Sequence, residues 1–243
     1  MPDYIRELEA YVPGKPIDEL EREYGIRNSV KLASNENPLG PSPKAVEAIQ
    51  GVLKELHRYP DGYGFRLREK LSKRLGVGAD HIVFGNGSNE IIELLVRTFI
   101  REGDHVVLPA PSFLMYQIIV QSAGGRITKV PLNKDLGLDL PAMAGAVSQD
   151  TCMVFLNNPN NPTGTIISKN AFQAFLERIP REVLVVVDEA YIEFVRDGDC
   201  ACGTDYLESE QVIVTLRTFS KAYGLAGLRL GYGGRSDRRN RGA

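Results

Sequence analysis

Long apolar runs, charge of one sign and cysteine are all scarce in this chain, and each scarcity excludes something. No uninterrupted apolar stretch reaches the ~20 residues that cross a bilayer, and no basic-plus-apolar leader opens the sequence. Secretion and membrane insertion are therefore disfavoured, and the expected location is the cytoplasm. Lys and Arg number 29 against 31 Asp and Glu, a net charge of -2, and the pI is near 6.0. That balance removes the electrostatic basis for a nucleic-acid or acidic-membrane partner. The 3 cysteines are Cys152, inside an apolar run, and Cys200 with Cys202. Their spacing matches neither a zinc ribbon nor a redox CxxC pair, so reduced thiols are expected. His57, His81 and His105 fall in no motif, and core or surface roles are expected of them. No internal repeat is present. What remains is a soluble chain of 243 residues, 43% hydrophobic, long enough for one large core and suited to a small-molecule pocket.

The hydrophobic pattern alternates between strand and helix. His81 to Phe84 reads as a short strand. Gly85-Asn86-Gly87-Ser88 then turns into a helix whose apolar residues Ile91, Leu95 and Phe99 recur at i, i+4, i+8. His105 to Leu108 is the next strand. Thr151 to Leu156 and Val183 to Val187 are continuous apolar runs of strand length, as expected of strands buried on both faces of a parallel sheet. Between them a helix begins near Ser168, carries Phe172, Phe175, Leu176 and Ile179 on one stripe, and stops before Pro180. Residues 183 to 216 read as a second βαβ crossover, and Arg229 to Tyr232 as a final edge strand.

Polar residues follow these strands in a pattern of their own. Open parallel sheets bind ligands outside the carboxyl ends of their strands. There stand Gly85, Gly87 and Ser88, the loop Asn157 to Gly164, Asp188, and Lys221 after the apolar run Val212 to Leu216. Alone, Lys221 is one of many solvated lysines. Paired with Asp188 it points to pyridoxal phosphate (PLP) chemistry. An amine that captures an aldehyde needs a partly desolvated position, because an unperturbed lysine with a pKa of about 10.4 is nearly all protonated at pH 7. Asp188 is suited to hold a pyridine nitrogen protonated and so improve the ring as an electron sink. Gly87-Ser88-Asn89 at a helix start offers N–H groups to a phosphate, or is a plain N-cap. Ser220 and Arg229 add a hydroxyl and a guanidinium. A dinucleotide fingerprint fails, because Glu90 stands where GxGxxG needs its third glycine.

Taken in order, Ser34-Asn35-Glu36-Asn37-Pro38-Leu39-Gly40-Pro41, Tyr59-Pro60-Asp61-Gly62, Gly85-Asn86-Gly87-Ser88, Asn160-Asn161-Pro162-Thr163-Gly164, Asp188-Glu189-Ala190-Tyr191 and Ser220-Lys221 resemble the fold-type I aminotransferases. Within them the chain most resembles the histidinol-phosphate aminotransferase branch, on the opening Val12-Pro13-Gly14-Lys15-Pro16 and the Asn-Glu-Asn-Pro segment. The similarity runs from about Tyr11 to Gly233. It implies an α/β fold, the fold-type I PLP-dependent transferase large domain, with a mostly parallel sheet sandwiched by helices. Residues 1–40 would be an N-terminal arm and part of a small domain, and 41–233 the PLP-binding domain.

The resemblance also implies roles. Lys221 would bond the cofactor aldehyde and then act as base and acid in turn. Asp188 would pair with the pyridinium nitrogen, Asn161 and Tyr191 would hydrogen-bond the ring oxygen, and Phe113 would stack on the ring. Gly87, Ser88, Asn89, Ser220 and Arg229 would hold the phosphate, with Tyr59 reaching it from the partner subunit of a homodimer. Implied substrates are glutamate with imidazole-acetol phosphate, giving histidinol phosphate and 2-oxoglutarate. Threonine-phosphate decarboxylation and aromatic-amino-acid transamination are the neighbouring alternatives, and an inactive, truncated PLP-binding fragment is another.

After Gly233 the chain departs from that pattern. Residues 234–243 carry four arginines against one aspartate and read as a disordered basic tail in place of the family's small C-terminal domain, which supplies an arginine clamp for the substrate carboxylate. The expectation is a truncated or frame-shifted reading of a longer gene.

Overall fold

The computed structural model describes residues 1–11, 14–206 and 209–235. Its centre is one sheet of seven strands: β1 (Ile82–Asn86), β2 (His105–Ala110), β3 (Arg126–Pro131), β4 (Thr151–Asn157), β5 (Leu184–Asp188), β6 (Ile213–Thr218) and β7 (Leu230–Arg235), in the order β1-β7-β6-β5-β4-β2-β3. Strands β2 to β6 pair in parallel, while β7 runs antiparallel to both neighbours. The helices are α1 (Asp3–Arg6), α2 (Ile17–Tyr24), α3 (Pro43–Val52), α4 (Phe65–Leu75), α5 (Ser88–Phe99), α6 (Met115–Ser122), α7 (Leu140–Ala146) and α8 (Lys169–Leu176). Among the described residues no helix is long and apolar enough to cross a membrane.

The continuous apolar runs are buried on both faces because successive side chains of a strand point to opposite sides. In β5, Val185 and Val187 join Val154, Leu156, Phe172, Phe175 and Met143 under α7 and α8. Leu184 and Val186 join Met153, Phe155, Ile92, Val96 and Val120 under α5 and α6. Helix α8 starts where its cap predicts, with the Ser168 hydroxyl accepting from the Ala171 N–H at 3.2 Å. Ile179 is buried just beyond the last helical residue, Leu176.

Four expectations are corrected. The strand near Arg229 to Tyr232 is not an edge: β7 lies between β1 and β6, and the edges are β1 and β3. It fits there because Gly231 has no Cβ, which would sit 2.2 Å from the Ser88 nitrogen. Gly234 and Arg235, grouped with the tail, are the end of this strand and pair with both neighbours; residues 236–243 lie outside the described residues, as do Val12 and Pro13. The connection from β5 to β6 is parallel as expected, but among the described residues its regular structure is two 3-10 turns, Ile192–Phe194 and Gly203–Tyr206, rather than an α-helix. In α5 the buried face is Ile91, Ile92 and Val96, and Phe99 is 49% exposed. At about 100° per residue, an i+8 step has already rotated roughly 80° away from the core.

This topology brings one sheet edge to bear on a single place. Strand β1 runs in the same sense as β2 to β6, so their carboxyl ends share an edge, and β7 begins there. From β2 the chain goes outward to β3 and then returns to the other side as β4, which is the switch point where α/β sheets open a crevice.

Candidate active site

At that edge lies a cavity of about 760 Å³, lined by residues that follow β1, β2, β4, β5 and β6 and precede β7. Of the expected site residues, Gly87, Ser88, Asn89, Phe113, Asn161, Asp188, Tyr191, Ser220, Lys221 and Arg229 all border it. Tyr59 does not: it stands between α3 and α4 with its side chain fully exposed, at 101%.

Asp188 ends β5 and is 2% exposed. Burial raises its pKa, against the pull of its hydrogen-bond donors and the Lys221 charge. Tyr116 donates to Oδ2 at 2.7 Å and the Ala190 N–H to Oδ1 at 3.1 Å. Asn157, the last residue of β4, spans two segments: its Nδ2 donates to the Asp188 carbonyl at 3.1 Å and its Oδ1 accepts from the Asn161 N–H at 2.7 Å. The Asn-Pro loop is thereby held beside Asp188.

Lys221 follows β6. Its Nζ donates to the Ser34 carbonyl at 2.8 Å and lies 5.8 Å from the centre of the Tyr191 ring. Burial lowers its pKa; Glu36 opposes the shift, Arg229 adds to it, and Asp188 opposes it. Asp188 and Lys221 thus move towards neutrality for the same reason, removal from water. The Tyr191 hydroxyl accepts from Asn35 Nδ2 at 2.9 Å. Ser34 and Asn35 are both left-handed, with φ of 67° and 51°, which turns the arm over the mouth of the cavity.

Arg229, Ser220, Ser88 and Asn89 bring hydrogen-bond donors to the same cavity. Arg229, itself left-handed at φ 53°, extends its guanidinium to the Ser220 hydroxyl at 3.4 Å, the Ala226 carbonyl at 3.2 Å and the Asn86 carbonyl at 3.2 Å. It passes over Gly87, where a Cβ would lie 2.5 Å from Nη2. Helix α5 starts at Ser88, so its first N–H groups and positive dipole end face the same region. Asn89 Oδ1 is buried there without a partner.

Sequence reasoning missed Tyr116 and the contact of Ser34 with Lys221, and placed Asn157 at the ligand edge without giving it a role. A buried tyrosine hydroxyl needs a partner, so the polar tip of Tyr116 within the apolar stretch of α6 was the available signal. None of His57, His81 and His105 borders the cavity. His105 is in the core, its ring bonded to the hydroxyls of Thr151 and Thr128 at 2.7 and 2.8 Å. All three cysteines are free thiols, and no metal-binding cluster occurs among the described residues.

Residues 27–238 match the aminotransferase class I and II family. The chain belongs to that family. Histidinol-phosphate aminotransferase 2 of Carboxydothermus hydrogenoformans is 50% identical over 230 residues, covering 94% of this chain and 63% of the relative. Histidinol-phosphate aminotransferase of Desulfotalea psychrophila is 48% identical over 237 residues, covering 96% and 62%. The solved structure of histidinol-phosphate aminotransferase from Sinorhizobium meliloti, in complex with pyridoxal-5'-phosphate, superposes with a TM-score of 0.86 at 31% identity, over 96% of this chain and 62% of that one. The helix-flanked, mostly parallel sheet is the α/β architecture expected of a fold-type I aminotransferase. The chain spans a little over three fifths of the length of these relatives.

Proposed function

We propose that this chain is the cofactor-binding part of a PLP-dependent aminotransferase of histidinol phosphate, exchanging an amino group between glutamate and imidazole-acetol phosphate. One observation carries the reading: a partly desolvated amine, Lys221, and a buried carboxylate, Asp188, border one cavity that Arg229, Ser220 and the start of α5, a candidate anion cradle, also line. The names of the relatives supply the substrate. Residues 41–233 act as the PLP-binding domain and 1–40 as an arm. The reaction belongs in the cytoplasm, in a homodimer where Tyr59 serves the partner's site.

The donor set fits PLP in charge and order. Arg229, Ser220, Ser88 and Asn89 would hold the phosphate, at a helix start suited to a dianion. Asp188 would hold the ring nitrogen, Asn161 and Tyr191 the ring oxygen, and Phe113 one ring face. When bound, the cofactor supplies an aldehyde for the amine and a ring that accepts the electron pair released at the substrate Cα. Lys221 Nζ would take the proton from that Cα and deliver it to the carbon that the cofactor aldehyde contributes, which requires the amine to be unprotonated at its turn. Burial favours that state. Asp188 contributes a fixed negative charge where the ring carries its proton. The Ser34–Asn35 turn covers the amine and limits water.

The test is chemical. Borohydride treatment of the PLP-loaded protein is expected to fix the cofactor to Lys221, read by peptide mass, and Lys221→Ala to abolish the fixed adduct. An adduct that survives Lys221→Ala sinks the assignment. Single-turnover conversion of histidinol phosphate, set against aromatic amino acids and phosphothreonine, selects the substrate class. Cofactor uptake without conversion of any of them would support a chain that binds but does not turn over.

A further inference from the structure

Tyr116 lies on α6, outside every motif read from the sequence, and is 1% exposed. Its ring stacks on Phe155 of β4 with centroids 4.7 Å apart and planes at 15°. Phe113 meets it edge-on at 5.4 Å and 84°. The helix fixes the root of the side chain and the two rings fix its plane, so the hydroxyl is aimed at Asp188 Oδ2, 2.7 Å away. Burial first, and the Asp188 charge next, push the ionisation of this phenol well upward. The bond therefore runs one way, from Oη to the carboxylate. With Ala190 N–H on Oδ1, each oxygen has one donor from the chain. A carboxylate accepts about four hydrogen bonds, which leaves capacity for a cation in the cavity that Asp188 borders.

We infer that Tyr116 is a positioning residue for the transamination reaction: its hydroxyl fixes the orientation of Asp188 and keeps it anionic, so that a heterocyclic N–H cation in the cavity is held and keeps its proton. The inference rests on the cavity being the PLP site. It deepens that reading, because Tyr116 is not among the residues that line the cavity and acts through Asp188. Removing the donor makes Asp188 a stronger base, and the proton shared with the ring nitrogen shifts towards the carboxylate. A hydrogen bond to a charged group in a buried site is worth about tenfold or more in binding.

Tyr116→Phe deletes one oxygen and retains both ring contacts. PLP affinity is measured by equilibrium dialysis, and the ring proton by the ¹⁵N chemical shift of ¹⁵N-labelled PLP, in wild type, Tyr116→Phe, Asp188→Asn and the double variant, with a thermal melt of each apo protein. The expected result is affinity about tenfold or more weaker in Tyr116→Phe and a ¹⁵N signal displaced towards the unprotonated position, with neither change seen in the Asp188→Asn background. Fluorotyrosine placed at position 116 alone keeps the packing and strengthens the donor. It is expected to move the ¹⁵N signal the opposite way, and it provides the measurement if Tyr116→Phe does not fold. Tyr116→Phe indistinguishable from wild type in both readouts overturns the inference. An equal loss of affinity in both backgrounds also overturns it, since that marks a packing role, and so does an unmoved signal with fluorotyrosine. Failure of the wild-type chain to take up PLP would instead overturn the reading of the site.

Discussion

Gly87 is a position where a single added carbon has two consequences. Its φ of 74° disfavours any L side chain, and a Cβ would lie 2.5 Å from Arg229 Nη2. Gly87→Ala is therefore expected to cost about 1–3 kcal/mol of stability, from backbone strain. It also drives the guanidinium off the anion cradle. Dialysis should show PLP affinity falling about tenfold or more, a loss typical of a displaced charged contact; unchanged affinity would remove Arg229 from the cradle. Lys221 gives a prediction in pH. A lysine whose pKa is lowered by burial has a larger unprotonated fraction at any given pH than a free lysine. The rate at which apo protein captures PLP, followed by absorbance, should rise with pH along a curve whose midpoint lies below 10.5. A midpoint at or above that value would mean the amine is not desolvated. Asp188 was legible because it directly follows the apolar run Val183 to Val187, and Ser88 and Lys221 because each comes within a few residues of the end of such a run, so the sheet alone puts them at its edge. Tyr116 was not, because its partner is 72 positions away and only the packing of α6 against β4 and β5 brings the two together.

Strand β5 ends in Asp188 and β6 leads into Lys221, and a buried ion pair ties the two strands there. Arg217 of β6 contacts Glu189 Oε2 through Nε and Nη2, both at 2.8 Å, and Glu189 Oε1 accepts from the Gly203 N–H at 2.6 Å. Glu189 follows Asp188 in the chain and its side chain is 0% exposed. Arg217→Met would strand that carboxylate, and breaking a buried pair from one side costs about 3–5 kcal/mol. The expected result is a urea midpoint lowered accordingly. Glu189→Leu combined with Arg217→Met should recover most of the loss, because an apolar pair of similar volume carries no desolvation penalty. Failure of the double variant to recover would show that the pair also fixes backbone geometry. At this scale β4, β5 and α8 were readable from continuous apolar runs and a serine cap. The place of β7 was not, since the sequence of a strand reports how deeply it is buried but not which strands flank it. Gly231, without a Cβ, lets the β1–α5 turn lie against this strand at Gly87 and Ser88.

For the molecule as a whole, the exposed apolar residues before β1 are the salient surface. Leu39, Leu56, Tyr59 and Tyr63 are 90%, 75%, 101% and 79% exposed, which is costly for an isolated chain and expected of one that pairs with a copy of itself. Sedimentation velocity should find a dimer. A sharper test mixes two variants. Lys221→Ala retains Tyr59, and Tyr59→Ala retains Lys221, so a mixed dimer contains one complete site. Random pairing should restore tight PLP binding at about a quarter of all sites, and no restoration would place Tyr59 outside the partner's site.

The antiparallel strand β7 also governs the order in which the sheet can be completed. Strand β1 has β7 as its only sheet neighbour, and its partners Gly234 to Leu230 emerge from the ribosome only after the whole parallel core has been synthesised. Throughout that interval the nascent chain displays two bare borders, one on β1 and one on β6, held near each other by α5, which packs on both strands. A pause in translation before codon 230 would hold those borders open to other polypeptides, so the wedge that completes the anion cradle is also the last safeguard against mispairing during synthesis.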